Sequence, residues 1–196
     1  MGVQSSQVVV CSEQLMRRDL ELLDSPEHPG LKPDCERCCG LCCVAPAFSA
    51  SADFAINKGA GRPCPNLTEE FRCSIHERLR AEGFRGCVAY DCFGAGQKVT
   101  QVTFNGQDWR RSPQIAAQMF EVYGVMRQLH ALLRYLSEAL KLPPARPLHG
   151  ELRLALEELE GRSRESPDAL LKLDVASHRA AVNDLLLRVS DLVRAP

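Results

Sequence analysis

The spacing of apolar residues divides the chain into two parts, and the C-terminal part has the clearer pattern. From residue 119 onward, one apolar seam recurs at intervals of three and four residues, the period of an α-helix, until two prolines end it. The seam consists of Met119, Val122, Met126, Leu129, Leu133, Leu136 and Leu140. A second helix is predicted over 148–161. A third is predicted by the apolar positions Val175, Val182, Leu185, Val189 and Leu192. We therefore expect a small antiparallel helical bundle.

The N-terminal part combines a short helical pattern with a long region that has neither a helical nor a strand period. Residues 7–23 predict a lead-in helix. From 35 to 96, Gly, Pro and Cys interrupt the chain repeatedly, as is typical of a loop-rich module folded around metal. Residues 98–104, KVTQVTF, then alternate like a strand. Because Asn105-Gly106 is a favoured hairpin turn, this stretch predicts a short β-hairpin.

Together these patterns predict a mainly α fold with three segments. Residues 1–30 are expected to hold the lead-in helix and a turn, and residues 31–110 a cysteine-rich metal-binding module. Residues 111–196 are expected to form the α-helical bundle. Strand structure is expected to be limited to the one short hairpin at the edge of the module.

Charge and hydropathy narrow the classes of partner. The chain has 24 basic and 25 acidic residues, so no net field attracts nucleic acid or an anionic membrane surface. No stretch approaches the ~18 consecutive apolar residues of a membrane span. The first residues also lack the basic and apolar regions of a signal peptide. The sequence therefore predicts a cytoplasmic protein that binds neither nucleic acid nor membrane.

Cysteine placement carries the strongest functional signal. Nine of the ten cysteines fall between residues 35 and 92, and five of them lie in the stretch CERCCGLCC, residues 35–43. In a reducing cytoplasm such crowding favours metal ligation over disulfides. The stretch contains two overlapping Cys-x2-Cys pairs, the spacing at which two sulfurs of one turn reach the same ion. The candidate metal ligands are Cys35, Cys38, Cys39, Cys42, Cys43, Cys64, Cys73, Cys87 and Cys92.

The two cysteine doublets leave the arrangement of these ligands open. Cys38 and Cys39 are adjacent, as are Cys42 and Cys43, and adjacent side chains point in different directions. The doublets are therefore compatible with two four-thiolate sites, or with one ligand and one packed thiol in each doublet. His76, three residues after Cys73, is a further candidate ligand, with a capping or surface role on a short helix as the alternative.

The identity of the metal is open in the same way. Cys-x2-Cys pairs and the absence of any redox-partner site favour zinc in a structural role. The excess of cysteine and the apolar residues around it favour an iron-sulfur cluster that senses redox state or carries electrons. The sequence does not choose between zinc and an iron-sulfur cluster.

Three blocks around these cysteines resemble the YkgJ-type cysteine-cluster family, described as zinc- or iron-chelating. The blocks are CGLCC (39–43), CPNL (64–67) and RCSIHER (72–78). The resemblance implies metal chelation by the cysteines of these blocks and by Cys87 and Cys92. The leading cysteine of the family falls at Glu36, whereas this chain has Cys35 and an additional cysteine at position 38.

A longer likeness covers most of the chain. The stretches CCGLCCVAPAFSASADFAINK, YDCFGAGQKVTQVTF and MFEVYGVMRQLHALLRYLSEAL are similar to the cysteine-rich and helical N-terminal region of certain bacterial pentapeptide-repeat proteins. The residues of this chain contain no A(D/N)LXX repeat. The resemblance implies a bacterial metal-binding domain and brings no enzymatic activity with it.

We therefore expect a non-enzymatic metal-binding protein in a structural, redox-sensing or metal-handling role, and no catalytic residue is predicted. One alternative is an enzyme or maturation factor similar to the flagellin lysine N-methylase type of cysteine-cluster protein. The other is a sensor that contacts a protein partner, or a second copy of the chain, through the helical half. This sensor hypothesis requires the seam from Met119 to Leu140 to be exposed.

Overall fold

The computed structural model describes residues 29–195 and has the mainly helical fold that the sequence predicts. Its α-helices are α1 (Leu41–Val44), α2 (Arg85–Ala89), α3 (Ala95–Gln97), α4 (Ala116–Leu140), α5 (His149–Arg162), α6 (Pro167–Leu171) and α7 (Val175–Arg194). Short 3-10 helices occur at Pro29–Leu31, Cys35–Arg37, His76–Arg78, Pro113–Ile115 and Pro143–Leu148, and a π-helix spans Lys98–Thr103. The lead-in helix predicted over 7–23 lies outside the described residues.

The long helix α4 is the centre of the helical half. Helices α5, α6 and α7 all pack against it, and α1 and α3 of the cysteine-rich module contact it as well. Its apolar seam is buried: Met119, Val122, Met126, Leu129 and Leu136 have no exposed surface. The predicted helical bundle is thus confirmed. Among the described residues, no helix has the length and apolarity to cross a membrane.

The third predicted seam lies within the single helix α7, and the structure adds the short helix α6 before it, so that side-chain caps start a helix twice in this region. The Ala169 N–H donates to the Ser166 hydroxyl (3.4 Å), which begins α6. The Ser177 N–H donates to the Asp174 carboxylate (3.1 Å), which begins α7. Each cap satisfies an amide that has no partner within its helix.

The predicted β-hairpin is wrong. Residues Lys98–Thr103 continue α3 as a π-helix, and the Phe104 N–H donates to the Val99 carbonyl five residues back (3.0 Å). Val99 and Thr100, adjacent in sequence, are both buried, a pattern that a strand with one buried face does not give. Asn105 and Gly106 do have the positive φ angles of the predicted turn, 53° and 76°. The described residues contain isolated β-bridges but no sheet.

Two hydrophobic cores hold the described part of the chain. The main core joins the helical half to the start of the cysteine-rich module, since Leu41 and Val44 of α1 and Val99 of the π-helix pack with the residues of α4. A smaller core lies inside the module and is built on Ile75, Leu79 and Phe84, with aromatic and apolar side chains of the 48–56 loop around it. The module therefore has one side supported by the bundle and another that depends on very few apolar residues.

Candidate metal centre

Helix α1 places Cys42 at the middle of a group of thiols. Burial raises the pKa of most of these thiols, and the charge of an ionised Cys42 raises it further. The thiols affected in this way are Cys35, Cys38, Cys73, Cys87 and Cys92. Cys43 is the direct neighbour of Cys42, and their sulfurs are 3.9 Å apart. That distance is far longer than the ~2.05 Å of a disulfide, and all nine described cysteines are free thiols.

Burial and mutual repulsion both act against ionised thiols in this group. The pKa of Cys38 is raised to about 12, mainly by burial, and that of Cys87 to about 11 for the same reason. For Cys42 the hydrogen bond with Cys43 raises the pKa first, and burial adds to it. Without a compensating cation these thiols therefore stay protonated at neutral pH. A bound metal ion would replace those protons.

Backbone amides lower the pKa of several of these thiols and so act against burial. Hydrogen bonding by the backbone of Leu41 and Gly40 lowers the pKa of Cys38, although burial outweighs it. The backbone of Gly96 and Gly94 acts in the same way on Cys92, and the backbone of Ile75 acts on Cys73. Amide donors that face sulfur stabilise thiolates, the protonation state that binds metal.

Glycines let the chain approach these sulfurs closely. Gly40 precedes α1 with a φ of 72°, and Gly94 precedes α3 with a φ of 79°, conformations that residues with a Cβ rarely adopt. A Cβ at Gly94 would lie 2.1 Å from the Gly30 carbonyl oxygen, and one at Gly96 would lie 2.6 Å from the Cys38 sulfur. The close approach of α3 to Cys38 therefore requires glycine at position 96.

Cys39 differs from the other cysteines of the stretch, because it points into the main core. It is buried, with its sulfur 3.7 Å from the Met119 sulfur and 3.3 Å from the Thr100 hydroxyl. Its N–H donates to the Thr100 hydroxyl (3.2 Å), and the Trp109 indole N–H donates to its carbonyl (2.8 Å). In the first doublet, Cys38 therefore lies with the group of thiols and Cys39 is a packed thiol.

A buried lysine lies at the end of α1, beside two of the thiols. Lys58 is only 6% exposed, and its ammonium donates to the carbonyls of Val44, Gly59 and Arg62 at 2.9–3.1 Å. Burial lowers its pKa, while negative charge on Cys64 and Cys43 raises it. Lys58 is thus a fixed source of positive charge next to two candidate ligands, and no pattern in the sequence indicates this role.

The thiols gather without a formed coordination sphere. Among residues 29–195, no three His, Cys, Asp or Glu side chains converge closely enough to hold one metal ion as they are placed. His76 is exposed on the 3-10 helix His76–Arg78. This is the surface position that was the alternative to metal ligation by His76. Ligation by the nine candidate cysteines therefore stays a prediction.

Two tyrosines beside the thiols were also missed from the sequence. The hydroxyls of Tyr90 and Tyr123 are 2.6 Å apart, and the Arg127 guanidinium lies 5.1 Å from the centre of the Tyr90 ring. Burial raises the pKa of Tyr90 to about 12, and it raises that of Tyr123 well above its ordinary value. The pair joins the segment before Cys92 to α4, so one end of the thiol group is fixed to the bundle.

His130 of α4 fixes the residue that follows Cys92. Its Nδ1 lies 2.6 Å from the Phe93 carbonyl oxygen, which accepts a hydrogen bond from the tautomer that carries hydrogen on Nδ1. Burial lowers the pKa of His130, the hydrogen bond with Phe93 raises it, and the charge of Lys98 lowers it. Burial dominates, so the imidazole is neutral in the folded protein at neutral pH.

Acid is therefore expected to destabilise the protein through His130. As the pH falls below about 6.5, the unfolded chain binds a proton at His130 that the folded protein does not bind. The free energy of unfolding should then decrease between about pH 7.5 and about pH 5.5, measured by chemical denaturation. The variant His130→Gln, which cannot be protonated, should show a smaller decrease. An equal decrease in both proteins would rule out His130 as its source.

Comparisons with known proteins show similarity to a bacterial protein. It is the "Uncharacterized protein YybG" of Bacillus subtilis (strain 168), which is 55% identical over 168 residues, or 86% of this chain. The matched part is 60% of the relative, so the chain spans less than two thirds of that protein's length. No family model matches the chain, and no solved structure matches it. The chain is thus similar to a bacterial protein over most of its length.

Proposed function

We propose that this chain is a bacterial metal-binding protein that holds zinc or an iron-sulfur cluster through its gathered cysteine thiolates, in a structural, redox-sensing or metal-handling role. The observation that carries the proposal is the gathering of cysteines from four separate segments of the chain around α1. The segments lie at residues 35–43, 64, 73 and 87–92. The relation to cysteine-cluster and pentapeptide-repeat proteins that the sequence suggests belongs to this proposal as well.

The donor set fits such a metal centre chemically. Thiolates prefer zinc, copper(I) and iron-sulfur clusters, and four of them complete a tetrahedral zinc site with Zn–S distances of ~2.3 Å. Amides that face Cys38, Cys73 and Cys92 are the type of donor that stabilises metal-bound sulfur. Lys58 offsets part of the negative charge. Free thiols of this kind persist in a reducing compartment, so we place the protein in the cytoplasm.

The buried seam of α4 weakens the alternative in which the protein is a sensor that binds a partner through it. That hypothesis requires exposure of the seam from Met119 to Leu140, and its central residues are fully covered by α5, α6, α7 and the cysteine-rich module. A partner could use this face only if the bundle opened. We therefore propose the metal ion itself as the primary partner.

Metal analysis after anaerobic purification tests the proposal. The full chain is purified without oxygen, its visible spectrum is recorded, and iron, zinc, copper and acid-labile sulfide are measured per chain. Zinc without sulfide would identify thiolate-bound zinc, and brown colour with iron and sulfide in equal amounts would identify a cluster. A colourless chain that contains neither metal, from cells supplied with both, would overturn the proposal.

A further inference from the structure

We propose that eight of the cysteines form two neighbouring four-thiolate metal sites, and that Cys39 belongs to neither. The inference rests on the proposed function and adds the identity and number of the sites. Site A consists of Cys35, Cys38, Cys42 and Cys92. Site B consists of Cys43, Cys64, Cys73 and Cys87.

The two hydrophobic cores separate the thiols into these groups. Cys38, Cys42 and Cys92 pack against the main core, which joins α1 to the bundle. Cys73 and Cys87 pack against the small core that is built on Ile75, Leu79 and Phe84. The two groups thus have different supporting surfaces.

Hydrogen bonds through Gln97 place Cys35 in site A. The Asp34 N–H donates to the Gln97 side-chain oxygen (3.0 Å), and the Gln97 side-chain amide donates to the Lys32 carbonyl (2.7 Å). Gln97 ends α3, the helix that follows Cys92, so the turn that carries Cys35 is held against the segment that carries Cys92. Gly96 of the same helix contacts Cys38, which brings three ligands of site A around α3.

Backbone pairing places Cys64 and Cys43 in site B. The Cys64 N–H donates to the Cys43 carbonyl (2.9 Å), and Leu67 pairs with Cys73 in an isolated antiparallel bridge. The loop after Cys64 is therefore attached to α1 at one end and to Cys73 at the other. Lys58 lies close enough for the charges of Cys43 and Cys64 to act on it together. Cys87, which packs on the same small core as Cys73, completes the set.

The doublet Cys42-Cys43 joins the two sites. Neighbouring residues of a helix point about 100° apart, so each of the two cysteines can serve a different site although their sulfurs are close. Cys42 packs on the main core with the other ligands of site A, while the backbone of Cys43 pairs with Cys64 of site B. Their sulfurs are 3.9 Å apart, which makes the two sites close neighbours.

Cys39 is excluded by its contacts. Its sulfur is enclosed by Thr100 and Met119, and its backbone is hydrogen-bonded to Thr100 and Trp109. To ligate a metal beside Cys38, it would have to leave the main core and break the contact of its side chain with Thr100. The additional cysteine at position 38 then supplies the thiolate that Cys39 does not.

Alkylation of thiols in native single-site variants tests this division. The wild-type chain and the variants Cys38→Ser, Cys73→Ser and Cys39→Ala are purified anaerobically with their bound metal. Each is treated with iodoacetamide, and the alkylated positions are read by peptide mass spectrometry together with the metal content. Circular dichroism confirms that the helical half is folded in every variant.

Each variant has a distinct expected result. Cys38→Ser should lose half of the wild-type metal and expose only Cys35, Cys42 and Cys92 to alkylation. Cys73→Ser should lose the other half and expose only the remaining ligands of site B. Cys39→Ala should keep the full metal content.

Three results would overturn the division, and they differ from one another. Loss of all metal and all protection in both serine variants would show a single polynuclear centre. Loss of metal in Cys39→Ala would show that Cys39 is a ligand. A wild-type chain without metal would overturn the proposed function together with the division.

Discussion

If the thiols bind metal as proposed, removal of that metal should unfold the side of the cysteine-rich module that rests on the small core, while α4 to α7 stay folded. This side has three buried residues, Ile75, Leu79 and Phe84, as its own core. Such a core is too small to fold a loop of this length, whereas a structural metal site contributes on the order of 10 kcal/mol of apparent folding free energy. Hydrogen exchange measured by mass spectrometry, with and without a strong chelator, shows which segments lose the protection of their backbone amides.

The expected loss of protection is confined to residues around the small core. Amides of the loop from 48 to 90 should exchange faster by several orders of magnitude, because opening would no longer require release of metal. Amides of α4 between Met119 and Leu136 serve as the internal control, since the bundle buries them independently of the thiols. Equal protection of the loop with and without chelator would contradict the dependence of the module on metal.

A single added methyl group at Gly94 should also be strongly destabilising. Gly94 has a φ of 79°, and a Cβ there would lie 2.1 Å from the Gly30 carbonyl oxygen, a backbone atom that cannot rotate away. The left-handed conformation alone costs a residue with a Cβ about 1–2 kcal/mol, and the overlap adds to it. We expect Gly94→Ala to lower the free energy of unfolding by at least about 2 kcal/mol, measured by urea denaturation.

Gly124→Ala is the matched control for this substitution. Gly124 lies within α4, and a Cβ there would have no neighbouring atom within 4 Å. Since glycine inside a helix is about 0.5–1 kcal/mol less favourable than alanine, this variant should be slightly more stable than the wild type. If Gly94→Ala unfolded at the same urea concentration as the wild type, the close packing of α3 on the Pro29–Leu31 segment would be wrong.

The helical half could be predicted from the sequence because its information is local and repeated. The seam of α4 extends over seven apolar positions, so the helical period is unmistakable, and α5 was placed to within about one residue at each end. Residues 98–104 gave only a short window in which apolar and polar residues alternate. The same residues fit a π-helix once Val99 and Thr100 are both buried, and burial of that kind is decided by the rest of the fold.

The site was harder to predict because it depends on contacts between distant residues. The sequence left open whether the doublets serve two sites or each contain one packed thiol, and it could not say which thiol would pack. Thr100 and Met119, 61 and 80 residues away, draw Cys39 into the main core. Neither residue carries a signal that links it to a cysteine. Lys58 and Tyr123 were missed for the same reason, since each acts on the thiols only through the folded chain.

Native mass spectrometry of the anaerobically purified full chain tests the central claim, metal binding by the thiols, most directly. We expect a folded chain whose mass exceeds that of the polypeptide by two zinc ions or by iron-sulfur clusters. After denaturation with chelator, the mass should return to that of the polypeptide, and all ten cysteines should become open to alkylation. A natively folded chain with the mass of the polypeptide alone, and with its clustered cysteines freely alkylated, would contradict the claim.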